Sequence, residues 1–158
     1  LIFVSVTANV VAMNDSIDAL AVVITGLMVG VELAVAVFFN PLIARLPDDG
    51  FRAARGGAAR ALGTTMPFWY AVVLLLVASL AIQERGEQRD WLCGIAAGLM
   101  AAVILLTVTM LVPINNRIAK WPSTGELSRE LAVRWDRRHR ARVILLLVVF
   151  VLLALAVT

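Results

Sequence analysis

Glu32 is the one charged residue deep inside any long apolar stretch of this chain, standing about seven residues before the first such stretch ends. At the helical rise that places it on the order of 10 Å below a membrane interface. A carboxylate at that depth is costly unless it faces a bundle interior, is protonated, or pairs with a cation or a metal ion. Its blandest role is a neutral acid hydrogen-bonded to a neighbouring helix. The only histidine, His139, belongs to a run in which Leu127, Leu131, Trp135 and His139 recur every four residues and so share a helix face, with Arg142 close to the same stripe. An imidazole there can exchange a proton near neutral pH, although an interfacial histidine among arginines is as often merely solvated. Arg137, Arg138 and Arg140 read as lipid-facing or solvent-facing charges, whereas Arg142, at the threshold of the last apolar stretch, is the one placed to turn inward. Asn40 with Pro41 closes the first stretch, and Pro113, Asn115 and Asn116 close the third. On local grounds Asn40 and Asn115 are helix-end caps, yet two such ends around a buried acid make a polar mouth.

The elements that must position these residues are helices in lipid. Of 158 residues, 61% are hydrophobic, and a mean hydropathy of +0.92 is more than one soluble core of this size could hide. Four apolar stretches, residues 17–39, 67–82, 91–114 and 143–158, can each approach the roughly 20 residues that a transmembrane helix needs. The expectation is therefore an all-α membrane protein, a single four-helix transmembrane domain over residues 1–158. Gly26, Gly30 and Ala34 in the first stretch and Gly94 and Gly98 in the third make small-residue stripes, which predict close packing of those two spans. Residues 1–13 are apolar but too short to span, and Asn14, Asp15, Ser16 and Asp18 should cut them off as a peripheral segment, or Met13 is the natural start. Ser123 and Glu126 have capping-box spacing, so a helix should begin there and run on into the fourth span, extending it beyond the membrane into the cytoplasm.

Charge sets the expected orientation. Twelve of the fourteen Lys and Arg residues lie in the first and third loops, so the positive-inside rule places both loops in the cytoplasm and both termini outside a cell membrane. Trp69, Tyr70, Trp91 and Trp121 read first as interfacial anchors. Basic residues that border spans are explained by topology, which leaves no case for nucleic acid. Cys93 alone excludes an intrachain disulfide or a cysteine zinc site. No GxGxxG before a strand, phosphate loop, HExxH or nucleophile elbow is present, so hydrolase and nucleotide-enzyme chemistry have no residue support.

One stretch resembles a known family. Residues 112–118, Val-Pro-Ile-Asn-Asn-Arg-Ile, are followed by Trp121 and then by Arg134, Trp135, Asp136, Arg137, Arg138, His139, Arg140, Ala141 and Arg142 leading into an apolar tail. That pattern is similar to the anthrone-oxygenase-like membrane proteins, a family mostly catalogued as domain of unknown function 1772. The likeness is good over residues 91–158; the first half resembles the family only in layout. It implies a four-helix membrane protein that oxidises aromatic anthrones to quinones with molecular oxygen as co-substrate, and it carries over Asn115, Asn116, Trp135, His139 and Arg142.

The preferred reading is a small membrane oxidoreductase for an apolar aromatic substrate. In it His139 removes or relays a proton, with Glu32 and Arg142 as its catalytic partners. Arg142 and Asn116 hold a phenolate or enolate oxygen, Trp135 packs on the ring, and Asn115 and Asn40 complete the binding site. The oxidation needs either no organic cofactor or a single metal ion held by Glu32, His139 and an asparagine oxygen. The rival is a non-enzymatic bundle, a lipid-binding, transport or assembly accessory, favoured if Glu32 and His139 lie on opposite sides. A homo-oligomer is compatible with either.

Overall fold

Helix α1 (Ile2–Ala34) runs without a break through the polar residues 14–18, and the acid at its membrane end has somewhere to go: Asp18 pairs with Arg89 at 2.7 Å, tying the first span to the third. The computed structural model describes residues 2–83 and 86–157, with side chains from Met13 onward, so the peripheral placement expected of residues 1–12 lies outside the described side chains. After α1 the chain passes through one π-helical turn, Val35–Phe39, into α2 (Asn40–Ala44), rather than ending at Asn40. Pro41 explains the turn. It has no N–H for the preceding turn and its ring crowds the carbonyl four residues back. The helix widens to accommodate it, and Asn40 N–H reaches Val35 O, five residues back.

Helix α3 (Asp48–Ala81) begins about five turns before the apolar stretch that sequence placed there. Pro47 stands at its cap with Asp48 and Asp49 in its first turn, a favourable start for a helix dipole. The arginine- and glycine-rich segment read as a loop is therefore helical; hydropathy is a poor guide where a helix leaves the lipid. Helix α4 (Glu87–Leu106) continues through a second π turn, Thr107–Leu111, into α5 (Val112–Ile118), and here Pro113 plays the part of Pro41, with Val112 N–H reaching Thr107 O. A single turn, α6 (Trp121–Thr124), ends at Gly125, whose φ of 72° is the left-handed conformation that glycine adopts freely. Helix α7 (Arg129–Val157) follows, later than the expected start. Ser123 bonds its own helix at Lys120 O, and it is Ser128 whose hydroxyl accepts the Leu131 N–H as the cap.

Met13–Ala44, Asp48–Ala81, Glu87–Thr124 and Arg129–Val157 are each long and apolar enough to cross a membrane, and the elements among the described residues are helical. Large apolar side chains such as Phe38, Phe68, Leu75, Trp91, Leu105 and Ile144 point outward, as lipid-facing surfaces do. This is an integral-membrane four-helix bundle.

The first and third spans do not form the close pair that their glycines suggested. α1 packs on α3 and α7, and α4 packs on the same two, so α1 and α4 lie across the bundle from each other. A Cβ at Gly30, Gly94 or Gly98 would meet nothing within 4 Å, whereas at Gly26 it would stand 3.1 Å from the Phe150 ring on α7. Met28, Val73, Met100 and Leu146 are among the buried side chains that fill the space between the helices. The close backbone approach is elsewhere: a Cβ at Gly56 would overlap the Pro122 ring, so glycine is what lets α6 lie against α3. A second core, with Phe51, Ile118, Trp121 and Trp135, occupies the basic end of the bundle. Trp121 is thus a core residue and not an interfacial anchor, and Trp69 ties α3 to α1 by donating to Ile24 O at 3.2 Å.

Candidate active site

Between the two cores lies a cavity of about 380 Å³, within the range of small-molecule sites. Its apolar walls include Val31, Val35, Leu62, Met66, Leu111 and Val112. Its polar end is a buried cluster from three of the four spans. Arg142 Nη2 donates to Glu32 Oε2 at 2.7 Å and to His139 Nδ1 at 2.9 Å, and the Tyr70 hydroxyl donates to Glu32 Oε1. Thr107 Oγ1 in the second π turn lies 3.4 Å from Arg142 Nη1. Glu32, Tyr70, His139 and Arg142 are all at most 5% exposed. The acid thus meets the cost of its depth by pairing with a cation and accepting from a hydroxyl.

The imidazole is held at both nitrogens. Nε2 lies 3.2 Å from the Glu32 carbonyl oxygen, which can only accept, so the proton of a neutral ring belongs on Nε2. That leaves Nδ1 as the lone-pair nitrogen, facing Arg142 and 3.3 Å from Glu32 Oε2. Trp135 stacks on the imidazole with ring centroids 4.7 Å apart and an 18° interplanar angle, one turn away on the same face of α7. Leu127 and Leu131, earlier on that stripe, pack against the basic-end core.

Sequence reasoning named Glu32, Asn115, Asn116, Trp135, His139 and Arg142, and all six line this cavity. Asn116 does so from its exposed rim; Asn115 donates to Ala59 O at 2.9 Å, bracing α5 against α3. Asn40 does not line it. The π turn explains why it is buried at all: eight residues beyond Glu32 a regular helix would carry it roughly 80° off that face, and the extra residue of the turn brings it back. There its amide oxygen accepts from Arg55 Nη1 and its amide nitrogen donates to Asp136 Oδ1 at 3.0 Å, while Arg55 Nη2 pairs with the same carboxylate. This second network sits on the far side of Trp135, with the Arg55 guanidinium 5.2 Å from the indole centroid. Asn40 is therefore a support of the Trp135 wall rather than a residue of the main cavity.

Tyr70, Thr107, Arg55 and Asp136 were missed. Tyr70 looked like an interfacial anchor, yet it is 3% exposed and bonded to the acid. Arg55 was counted as a topological charge in a loop that is in fact helix. The signal that could have found the second network was Asp136, the one acid among the six basic residues from Arg134 to Arg142. The single-metal alternative fits the residues poorly: no group of three His, Cys, Asp or Glu side chains converges among the described residues, and the Arg142 guanidinium already occupies the faces of Glu32 and His139 that a cation would need.

Four helices long and apolar enough to cross a membrane, with a buried Glu-Arg-His cluster at the end of an apolar cavity between them, define the class as a small integral-membrane helical bundle. Residues 51–152 match the family described as anthrone oxygenase, and the chain belongs to that family. The match takes in the second, third and most of the fourth span, including Arg55, Tyr70, Trp135, His139 and Arg142, while Glu32 lies before it. No curated protein and no solved structure is found to match the chain.

Proposed function

We propose that this protein is an oxygenase that takes an apolar, enolisable aromatic of the anthrone type into the cavity and converts its ring methylene to a carbonyl. The observation that carries the proposal is the joining of Glu32, His139 and Arg142 in one buried cluster at the wall of that cavity, in a chain of the anthrone oxygenase family. The substrate's carbonyl oxygen docks on Arg142, whose Nε–H is buried and makes no hydrogen bond with the described residues, as is also true of the Trp135 indole N–H. Such orphan donors are costly unless something accepts from them, and a ligand oxygen would. When Arg142 turns to that oxygen, His139 Nδ1 is released to take the proton from the methylene carbon, and Glu32 Oε2 at 3.3 Å stabilises the imidazolium. Arg142 holds the negative charge that develops on the enolate oxygen. The electron-rich enolate then reduces oxygen: a C–O bond forms, the peroxide anion takes the proton back from the imidazolium to become a hydroperoxide, and loss of water leaves the quinone. The balance is CH2 + O2 → C=O + H2O, with no further reductant.

Anthrone itself is the first substrate to test. Protein in nanodiscs should consume one oxygen per anthrone and form anthraquinone well above the rate of empty nanodiscs; uptake equal to the empty control would remove the reading.

The orientation proposed is the one the charges favour, with the Pro47 end of α3 and the start of α7 on the cytoplasmic side. Cysteines at the exposed positions Asp49 and Gln88 should label from opposite sides of sealed vesicles, Cys93 being buried. Labelling of Asp49 from outside and Gln88 from inside would reverse the orientation, and labelling of both from outside would overturn the topology.

A further inference from the structure

The cavity runs along α3 from Ala59 to Tyr70, about three turns or 16 Å, and its two ends differ in charge. At the Tyr70 end the ionisable groups compensate one another, Glu32 against Arg142 with a neutral imidazole between. At the Ala59 end stands Arg60, which lines the cavity, is exposed, and has no carboxylate partner among the described residues. Among the described residues Glu32 is the acid that lines the cavity and it is paired at the other end, so the rim carries an uncompensated positive charge. The doorway beside it is built of small or short side chains: Gly63, Thr64 and Pro67 on α3 are exposed and line the cavity, facing Val112 and Asn116 on α5. A Cβ at Gly63 would stand 2.8 Å from Asn115 Nδ2, so a larger residue there would push on the opposite wall.

We propose that Arg60 is a specificity residue that binds an anionic substituent, a carboxylate, on the aromatic ligand. The ligand is then polar at both ends: its enolisable carbonyl lies deep at Arg142, its rings lie along Leu62, Met66 and Leu111, and its carboxylate lies at the rim beside Arg60 and Asn116. A guanidinium is the side chain suited to this, because it presents a planar pair of donors to a carboxylate. The ligand enters sideways, between α3 and α5, because the doorway straddles the ends of two apolar stretches, with Pro67 and Val112 just inside them and Gly63, Thr64 and Asn116 just outside. This rests on the reading of the cavity as the substrate site, and its test reads binding rather than turnover, so failed oxidation of anthrone would leave it standing.

The test uses two fluorescent probes, anthracene-2-carboxylate and 2-methylanthracene, with the full chain in phosphatidylcholine nanodiscs. Energy transfer from tryptophan reports binding after correction for partition into empty nanodiscs. The wild type should prefer the carboxylate about tenfold, the Arg60→Gln variant should lose that preference while still taking the methyl probe, and Arg60→Lys should keep part of it. An equal preference in Arg60→Gln, no preference in the wild type, or no binding of either probe would overturn the proposal. So would displacement of the carboxylate probe by added phosphatidylglycerol, which would make Arg60 a lipid-headgroup contact.

Discussion

Replacing Arg142 with leucine should destabilise the bundle by about 3–5 kcal/mol, the cost of leaving one partner of a buried ion pair alone. The Glu32 carboxylate would keep the Tyr70 hydroxyl but lose the guanidinium it pairs with, at a depth where a bare carboxylate is costly. Glu32→Leu should be comparably harmful, because it strands the guanidinium beside His139 and Thr107. The double variant Glu32→Leu/Arg142→Leu should recover most of the loss, since a buried pair replaced by apolar groups of similar volume is often neutral in stability. Unfolding of the four proteins in detergent by a denaturant titration gives the cycle. If the double variant is as unstable as the sum of the singles, the two groups are not the coupled pair described.

His139→Ala should cost about 10²–10⁴ in the rate of anthrone oxidation, the contribution typical of a positioned general base. Stability should fall less, because the imidazole carries no charge of the ion pair: its deletion strands the Glu32 carbonyl and a face of Trp135 and takes one acceptor from Arg142 Nη2, which keeps Glu32 Oε2. The two roles separate by rescue: imidazole added to His139→Ala should restore part of the rate, with a dependence on imidazole concentration that saturates. Trp135→Phe keeps an aromatic wall against His139 and should lose much less. An equal loss in His139→Ala and Trp135→Phe, with no rescue, would mean that His139 only packs.

The sequence was most informative where a residue type was out of place. Glu32 is an acid in a span, His139 is the single imidazole on an aromatic stripe, and Arg142 is the arginine nearest the lipid, and each of these oddities led to the cluster. It was least informative where position depends on a local departure from the regular helix. Asn40 reaches the interior only because the turn before Pro41 is π-helical, and a face computed at 3.6 residues per turn misplaces it. Hydropathy likewise hid the first five turns of α3, so Arg55 and the Gly56 contact with Pro122 fell in a segment read as loop. Glycine spacing misled for a different reason: absence of a side chain permits close approach but does not choose the partner, and the larger side chains that fill the bundle set which helices are adjacent. Tyr70 shows the same limit, since an aromatic near a span end serves equally as an anchor or as a ligand to a buried acid until the facing helix is known.

The central claim is that the buried cluster performs an oxygen-dependent oxidation inside the bundle, and an oxygen-18 experiment addresses it most directly. Anthrone and 18O2 would be supplied to protein in nanodiscs, and the anthraquinone analysed by mass spectrometry alongside that from the Glu32→Leu/Arg142→Leu variant. The account predicts that the wild-type product carries one 18O atom, the other leaving as water, and forms at least about a hundredfold faster than with the double variant, as loss of both electrostatic stabilisation and the proton acceptor's partner demands. A wild-type rate no greater than that of the folded double variant, or a product whose new oxygen comes from water, would contradict it.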